Sequence, residues 1–392
     1  MLTDAQRAIV KATVPLLETG GEALTTHFYK IMLGEFPQVR PLFNQAHQAS
    51  GDQPRALAHS VLMYAKHIDR LEALGDLPAQ IINKHVSLQV LPEHYPIVGA
   101  CLLRAIREVL GAEIATDEVI AAWAAAYQQL ADILIGAEES VYAAAEAVPG
   151  GWRGVRAFRV ARKALESEEI TSFYLQPADG GEVIAHEPGQ YIGLHLQIDG
   201  REQRRNYSLS APANGRELRI SVKREAGGLV SAFLHDQVNE GDTLQVTPPA
   251  GAFTLKDSDK PVVLISGGVG ITPTLPMLHA ALKSKRPVHF IHCARNRQVH
   301  AFREHVDALA QAHPQLKRFY CYDEAVDADG VHGIGRLDQD RLAQWLPATR
   351  DVDAYFLGPK PFMAQVKRGL AALGVPEAQA RYEFFGPAAA LA

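Results

Sequence analysis

The sequence predicts a multidomain fold built from three successive classes. These are an all-α first third, a small antiparallel β-barrel, and an α/β doubly wound parallel sheet. Three observations carry this. Apolar residues recur at helical spacing up to about residue 147 with no strand pattern among them. Short segments of alternating polarity, separated by Gly, Pro and Asn, follow to about residue 257. From residue 260 onward, continuous apolar strands alternate with helical patterns. At 392 residues the chain exceeds one ordinary core, and the changes of period set domains of 1–147, 151–257 and 260–392.

Composition narrows the function classes. Apolar residues make up 47% and charged residues 21%, as in a soluble globular protein. A net charge of −5 gives no sign of a nucleic-acid partner or an anionic membrane. Cys101, Cys293 and Cys321 form no C-x-x-C pair, which argues against a disulfide framework, a zinc knuckle and covalent c-type haem attachment. Thr3 followed by Gln6 reads as a capping box at the start of a helix, not as a signal peptide. No apolar run is expected to reach membrane-spanning length. The expectation is a cytoplasmic monomer with no nucleic-acid partner and no membrane insertion.

In the first third, the strongest helix spans 93–110, with Pro92 in its first turn and Gly111 stopping it. Another runs from about Asp117 with Ile120, Trp123, Tyr127, Leu130 and Leu134 on one stripe. Glu138 falls on that same stripe, so it lies at a wet helix end or is held by a specific partner; the helix alone favours the wet end. A third helix begins near Gln53-Pro54 and points Gln53 and Leu57 the same way. Such helices form a plain bundle or wrap a haem, as in the globin fold. Six histidines offer an axial ligand (His27, His47, His59, His67, His85 and His94), and periodicity does not choose among them.

Val148-Pro149-Gly150-Gly151-Trp152-Arg153 combines breakers with a change of period from 3.6 to 2, marking a joint. Alternation is then clear in Ile192, Leu194, Leu196 and Ile198, and in Leu218, Ile220 and Val222. Between them lies Arg205-Asn206-Tyr207-Ser208. On a strand, its guanidinium can pair with a phosphate, its ring can lie on a flat cofactor, and its hydroxyl can bond the rim. A surface arginine beside a packed tyrosine is the plainer alternative. Further on, the buried strand Val262–Ser266 runs into Gly267-Gly268-Val269-Gly270-Ile271-Thr272-Pro273, where Thr272 can cap a helix and Pro273 suits its first turn. Pro273 stands where a dinucleotide fingerprint has its third glycine, so the pattern is not G-x-G-x-x-G. Strands recur at 288–293, 317–322, 353–357 and 380–385.

Several of these segments resemble one family. Phe28-Tyr29, Leu42-Phe43-Asn44, Gly51-Asp52-Gln53 and Lys84-His85-Val86-Ser87 before Pro92-Glu93-His94-Tyr95 resemble the globin domain of the flavohaemoglobins, over the whole first third. The resemblance implies a b-type haem with His85 as iron ligand and Phe43 on the porphyrin. It makes Tyr29 the distal donor to O₂, aided by Gln53, with Leu57 crowding the sixth position. It also implies a relay from Tyr95 and Glu138 to His85. Hydrogen-bonding the far imidazole nitrogen would orient the ring and strengthen it as a donor. Pro54 departs from the pattern and could turn Gln53 away.

Gly189-Gln190-Tyr191, Arg205 to Ser208, and Val222-Lys223-Arg224 leading to Gly227-Gly228-Leu229-Val230-Ser231 are similar to the flavin barrel of ferredoxin-reductase-like enzymes. The implied FAD set is Tyr191, Arg205, Asn206, Tyr207, Ser208 and Lys223, with Gly227, Gly228, Val230 and Ser231 as a phosphate turn. Gly267, Gly268, Val269, Gly270, Ile271 and Thr272 match that family's nucleotide turn. Leu357-Gly358-Pro359 stands where many members have C-G-P, and Glu383-Phe384-Phe385-Gly386-Pro387 resembles E-C-F-G-P, both without the cysteine. Phe385 would cover the flavin until nicotinamide displaces it, and Glu383 with Lys84 would tune the flavin–haem junction. Phe384 and Phe385 could instead be core residues of the last strand.

The resemblance thus implies an NAD(P)H-dependent nitric oxide dioxygenase. Electrons would pass from NADH or NADPH through FAD to haem b, and O₂ held beneath Tyr29 would oxidise nitric oxide to nitrate. Arg295 and Arg297 lie where a 2′-phosphate would sit, yet NADH is the first choice. The alternatives are an oxygen-binding or sensing globin whose reductase keeps iron ferrous, and a flavin-dependent ferric or quinone reductase.

Overall fold

The computed structural model describes residues 2–43, 51–75, 77–326 and 329–386. Two compact units emerge. One is the chain up to Ala147 with Asp199–Arg205 and Gly386; the other is Val148–Ile198 with Asn206–Phe385. The break after Ala147 falls at the Pro-Gly-Gly joint. There Gly150 adopts φ +70°, and an added Cβ would sit 2.8 Å from the Ile184 nitrogen.

The first unit is helical. Its elements are α1 (Asp4–Ala12), α2 (Val14–Glu35), α3 (Asp52–Lys66), α4 (Leu77–Leu88), α5 (Tyr95–Leu110) and α6 (Asp117–Ala147). The Thr3–Gln6 capping box forms as expected. Helix α5 starts two residues later than its spacing suggests, because Pro92–His94 makes a separate 3-10 turn. Phe28, Met32, Tyr64, Leu102, Ile106 and Trp123 lie in one core. Helices α2 and α3 approach closely at Gly21, whose added Cβ would meet the Ala58 methyl at 3.5 Å. One expectation is corrected. At 31 residues, α6 is long and apolar enough, by length and composition, to cross a membrane. The reason is its many alanines. Trp123, Ala126, Leu134 and Tyr142 are nevertheless buried within the protein.

Two sheets follow the joint, and all their residues lie in the second unit except Arg201–Arg205 of the fourth strand, which belong to the first. Strands β1 (Arg156–Leu165), β2 (Ile170–Pro177), β3 (Tyr191–Ile198), β4 (Arg201–Ser208), β5 (Leu218–Lys223) and β6 (Thr243–Val246) are ordered β4-β3-β6-β1-β2-β5. An antiparallel bridge between Leu209 and Ile220 joins the two ends of that order. Ser210 N–H donates to the Arg219 carbonyl at 2.8 Å beside it. The sheet therefore closes into a barrel, as its many short alternating strands predict. Helix α7 (Leu229–Asp236) follows β5.

The other sheet is parallel. It comprises β7 (Val262–Gly267), β8 (Val288–Ala294), β9 (Leu316–Tyr322), β10 (Gly333–Ile334), β11 (Asp353–Leu357) and β12 (Ala380–Tyr382). Its helices are α8 (Ile271–Leu282), α9 (Arg303–Ala312), α10 (Gln339–Trp345) and α11 (Lys360–Ala372). The order β10-β9-β8-β7-β11-β12 reverses direction between β7 and β11. That reversal opens a crevice at the carboxyl ends of those two strands. Every residue of β7 is buried, in keeping with its unbroken apolar run. The last strand ends at Tyr382, three residues short of expectation. Asp353 pins the sheet through Arg286 at 2.6 Å and Arg381 at 2.8 Å.

Candidate functional site

In the helical unit, α4, α5 and α6 bring three predicted residues together. His85 Nδ1 lies 2.7 Å from Glu138 Oε1 and 3.2 Å from the Tyr95 hydroxyl. That hydroxyl donates to the same carboxylate oxygen at 2.6 Å. Tyr127 in turn donates to the Tyr95 carbonyl at 2.6 Å. Glu138 is 2% exposed, so the wet-end reading fails. The physical reason is that α6 runs on to Ala147, which leaves Glu138 inside the helix and in need of a partner. Burial and the adjacent carboxylate push the Tyr95 phenol up, so it stays a donor. With Nδ1 occupied as a donor, Nε2 is the nitrogen His85 can offer to a metal. His27 instead bonds Glu108 at 2.6 Å, and His94 accepts from Leu91 N–H at 2.9 Å. His47 lies outside the described residues.

Tyr29, on α2, is buried and packs edge-on against Phe28 and Phe43, at centroid distances of 4.9 and 5.5 Å. Burial pushes its phenol up, and a hydrogen bond with Gln53 opposes that shift. Tyr29 is therefore a proton donor at neutral pH. Pro54 does not turn Gln53 away from Tyr29. Thr25 Oγ1 donates to the Pro54 carbonyl at 2.8 Å, which anchors the start of α3 on α2. Leu57, Val61, Ile81, Ile82 and Val98 are only half-buried. Among the described residues, no cluster of three or more His, Cys, Asp or Glu could hold a metal ion. One buttressed imidazole among half-covered apolar side chains fits a flat macrocycle that needs a single protein nitrogen.

In the barrel, Tyr191 opens β3 and pairs with Ala250 through backbone bonds of 2.9 Å in both directions. Gly189 (φ +107°) could carry no side chain, because a Cβ would fall 2.1 Å from the Phe253 carbonyl and 2.5 Å from Met277 Cε. Strand β4 presents Arg205, Asn206, Tyr207 and Ser208, with Tyr207 half-buried against the barrel core and Ser208 buried. The Arg205 guanidinium donates to the Arg204 carbonyl at 2.7 Å and to Gln203 Oε1 at 3.3 Å. Lys223 is engaged by Glu225 at 3.0 Å. Gly227 (φ +72°) and Gly228 lead into α7, which has no side-chain cap. Its first amides, including those of Val230 and Ser231, have no partner within the helix and can meet an anion. The Ser231 hydroxyl, by contrast, is used inside the turn: it accepts from Glu225 N–H at 3.1 Å and donates to the Gly228 carbonyl at 3.2 Å.

The second glycine turn lies in the crevice of the parallel sheet. Gly268 has φ +54°, and a Cβ on Gly270 would fall 2.5 Å from the Leu357 carbonyl oxygen. Gly267 precedes that turn, Val269 lies within it, and Ile271 begins α8. Thr272 does not cap this helix. It lies inside the first turn, and its hydroxyl donates to the Val269 carbonyl at 2.9 Å, which leaves the amide ends open. Phe384 packs edge-on to Tyr382 at 5.7 Å, whereas Phe385 is 49% exposed. Glu383 follows β12 in the second unit. Within the first unit, Lys84 Nζ donates to the Gly386 carbonyl at 2.5 Å. Pro387 lies outside the described residues. Arg295 is paired with Glu169 at 2.6 Å. Sequence reasoning missed the adjacent buried rings of His292 and His300, 4.4 Å apart and tilted by 33°, because one lies on a strand and the other on a loop and no shared period links them.

Fold and site together define a class: a globin-type helical unit joined to an FAD- and NAD-binding oxidoreductase. The globin family model matches residues 26–134, the oxidoreductase FAD-binding domain 157–255, and the oxidoreductase NAD-binding domain 264–368. A flavohemoprotein of Burkholderia sp. (strain TH2) is 71% identical over all of both chains. A crystal structure of flavohemoglobin from Malassezia yamatoensis, with bound FAD and heme, is 27% identical. It covers 98% of this chain and 100% of its own, with a TM-score of 0.86. The FAD/NAD-binding domain of nitric oxide dioxygenase from Vibrio cholerae is 40% identical. It covers 60% of this chain and 100% of its own, with a TM-score of 0.56. The chain belongs to the flavohemoproteins.

Proposed function

We propose that this chain is an NAD(P)H-dependent nitric oxide dioxygenase containing haem b and FAD. The observation that carries this reading is the His85–Tyr95–Glu138 buttress, in one chain with a reductase fold. The bound cofactors named for the Malassezia structure and the activity named for the Vibrio relative support it. When bound, FAD passes electrons from the nicotinamide one at a time, and haem iron supports the reaction of dioxygen with nitric oxide to give nitrate.

In this reading His85 Nε2 holds the iron, while Glu138 and Tyr95 fix the imidazole and make it electron-rich. Tyr29 donates its hydroxyl proton into the distal space, Gln53 holds that phenol, Leu57 limits access, and Phe43 packs on the macrocycle. Arg205, Tyr207 and Ser208 serve FAD along β4, with Tyr191, Asn206 and Lys223 beside them and the Gly227–Ser231 turn on phosphate. The Gly267–Thr272 turn offers amides to the dinucleotide pyrophosphate. Phe385 covers the flavin, and Lys84 and Glu383 adjust electron passage. The working modules are 1–147, 151–257 and 260–392, which the three family matches support. The Arg295–Glu169 pair favours NADH, because that arginine already has a carboxylate partner. Dioxygen and nitric oxide are the small-molecule partners, and a monomer in the cytoplasm completes the reading.

The test is an anaerobic absorbance spectrum before and after NADH, followed by nitric oxide consumption in air. A Soret band that shifts to the ferrous form, and turnover that consumes both gases and NADH, are expected. Flavin bleaching without a Soret band, or reduction without nitric oxide turnover, would overturn the proposal.

A further inference from the structure

Cys293 and Cys321 occupy directly paired positions on the neighbouring parallel strands β8 and β9. Such residues have Cα atoms about 4.8 Å apart and side chains on the same face, within the roughly 4.4–6.8 Å that a disulfide spans. Cys321 is buried, donates to the Gly335 carbonyl at 3.0 Å, and has Arg341 Nη1 4.0 Å from its sulfur. Cys293 is half-buried, so a small reagent can meet it. Hydrogen bonding between the two thiols pushes Cys293 up and Cys321 down, so Cys321 is the better thiolate. The proposed electron path uses neither. Cys293 also stands one residue before the end of β8, at the sheet edge where a dinucleotide is expected.

We propose that Cys293 and Cys321 form a thiol–disulfide switch that reacts with low-molecular-weight disulfides and, when closed, weakens nicotinamide-dinucleotide binding. The second half rests on the placement of the dinucleotide given above. In the first step Cys293 attacks one sulfur of the small disulfide and its thiol proton passes to the small thiolate that departs, so that Cys321 remains able to ionise. A mixed disulfide forms and one small thiolate leaves. Cys321, as thiolate, then attacks the Cys293 sulfur and expels the second small thiolate. Two protein thiols are oxidised and one small disulfide is reduced to two thiols. The new bond fixes the sulfurs about 2.05 Å apart, and the Cys293 side chain must turn toward Cys321 at the end of β8 where the dinucleotide is expected.

The experiment treats the full-length holoenzyme with glutathione disulfide and reads two quantities. One is the Cys293–Cys321 linkage, by peptide mass mapping after alkylation; the other is the KM for NADH, by dye reduction at the flavin. A cross-linked peptide lacking two hydrogens is expected, with KM raised about three- to tenfold and restored by dithiothreitol. Cys293→Ser and Cys321→Ser should show no rise, and Cys101→Ser should respond like the parent. Separate glutathione adducts, or an equal rise in Cys293→Ser, would overturn the switch. A linked pair with unchanged KM would overturn its effect on binding. Dye reduction needs no nitric oxide, so these outcomes are independent of the dioxygenase reading. The KM for NADH in Gly270→Ala, read by the same dye reduction, tests the dinucleotide placement by itself: a higher KM is expected, and an unchanged one would overturn that placement.

Discussion

Glu138 sits where an isolated amphipathic helix would place a leucine, and 2% exposure makes an unpaired carboxylate there untenable. His85 and Tyr95 resolve that misfit, and the misfit was already legible in the sequence as a carboxylate on an apolar stripe. Which histidine would resolve it was not legible, because six histidines share the region and the choice depends on how α4 packs on α6. In Glu138→Gln the amide replaces a full charge, so His85 becomes a weaker donor. The iron–histidine stretching band should move to lower frequency, and a resonance Raman band that stays in place would remove Glu138 from that role. Tyr29→Phe should speed O₂ release in proportion to one lost hydrogen bond of about 1–3 kcal/mol. Flash photolysis or stopped-flow off-rates check it, and an unchanged rate would leave Tyr29 a packing residue.

Elements were easier to read than their ends. The unbroken apolar run of β7 and the glycine turn behind it announce strand, turn and helix, and the structure has all three in place. Thr272 does not take the capping role its type suggests, because capping depends on which residue is first in the helix, and the cap of α8 is Gly270, two residues earlier. The last strand was read too long, because aromatic residues such as Phe384 and Phe385 have high strand propensity whether or not a ladder continues. Gly270 tests the turn as an element. Gly270→Ala would push a methyl against the Leu357 carbonyl, now 2.5 Å from the Cβ position. A loss of about 1–3 kcal/mol and a higher KM for NADH are expected. Thermal unfolding and dye-reduction kinetics measure both, and an unchanged KM would remove this turn from dinucleotide binding.

Across the whole molecule, the reductase fold carries a built-in sensitivity to acid. Burial lowers His292 from 6.5 to about 3, and His300, packed against it, is held well below 6.5 as well. The folded state keeps these rings neutral, whereas the unfolded chain takes up protons near pH 6.5. Their contribution to stability is therefore complete above about pH 6.5 and is lost progressively as pH falls toward 3. The thermal midpoint, followed by flavin release, should drop between pH 6.5 and 4, with a shallower drop in His292→Gln. Equal slopes in parent and variant would assign the acid response to other groups. The bridge between Leu209 and Ile220 has a consequence of another kind. Because it ties the two ends of the strand order together, the backbone at Leu209 and Ser210 is not left as an idle edge. A segment seeking to add a strand would find that seam of the barrel already occupied. That junction should therefore resist strand addition even while other parts of the chain open.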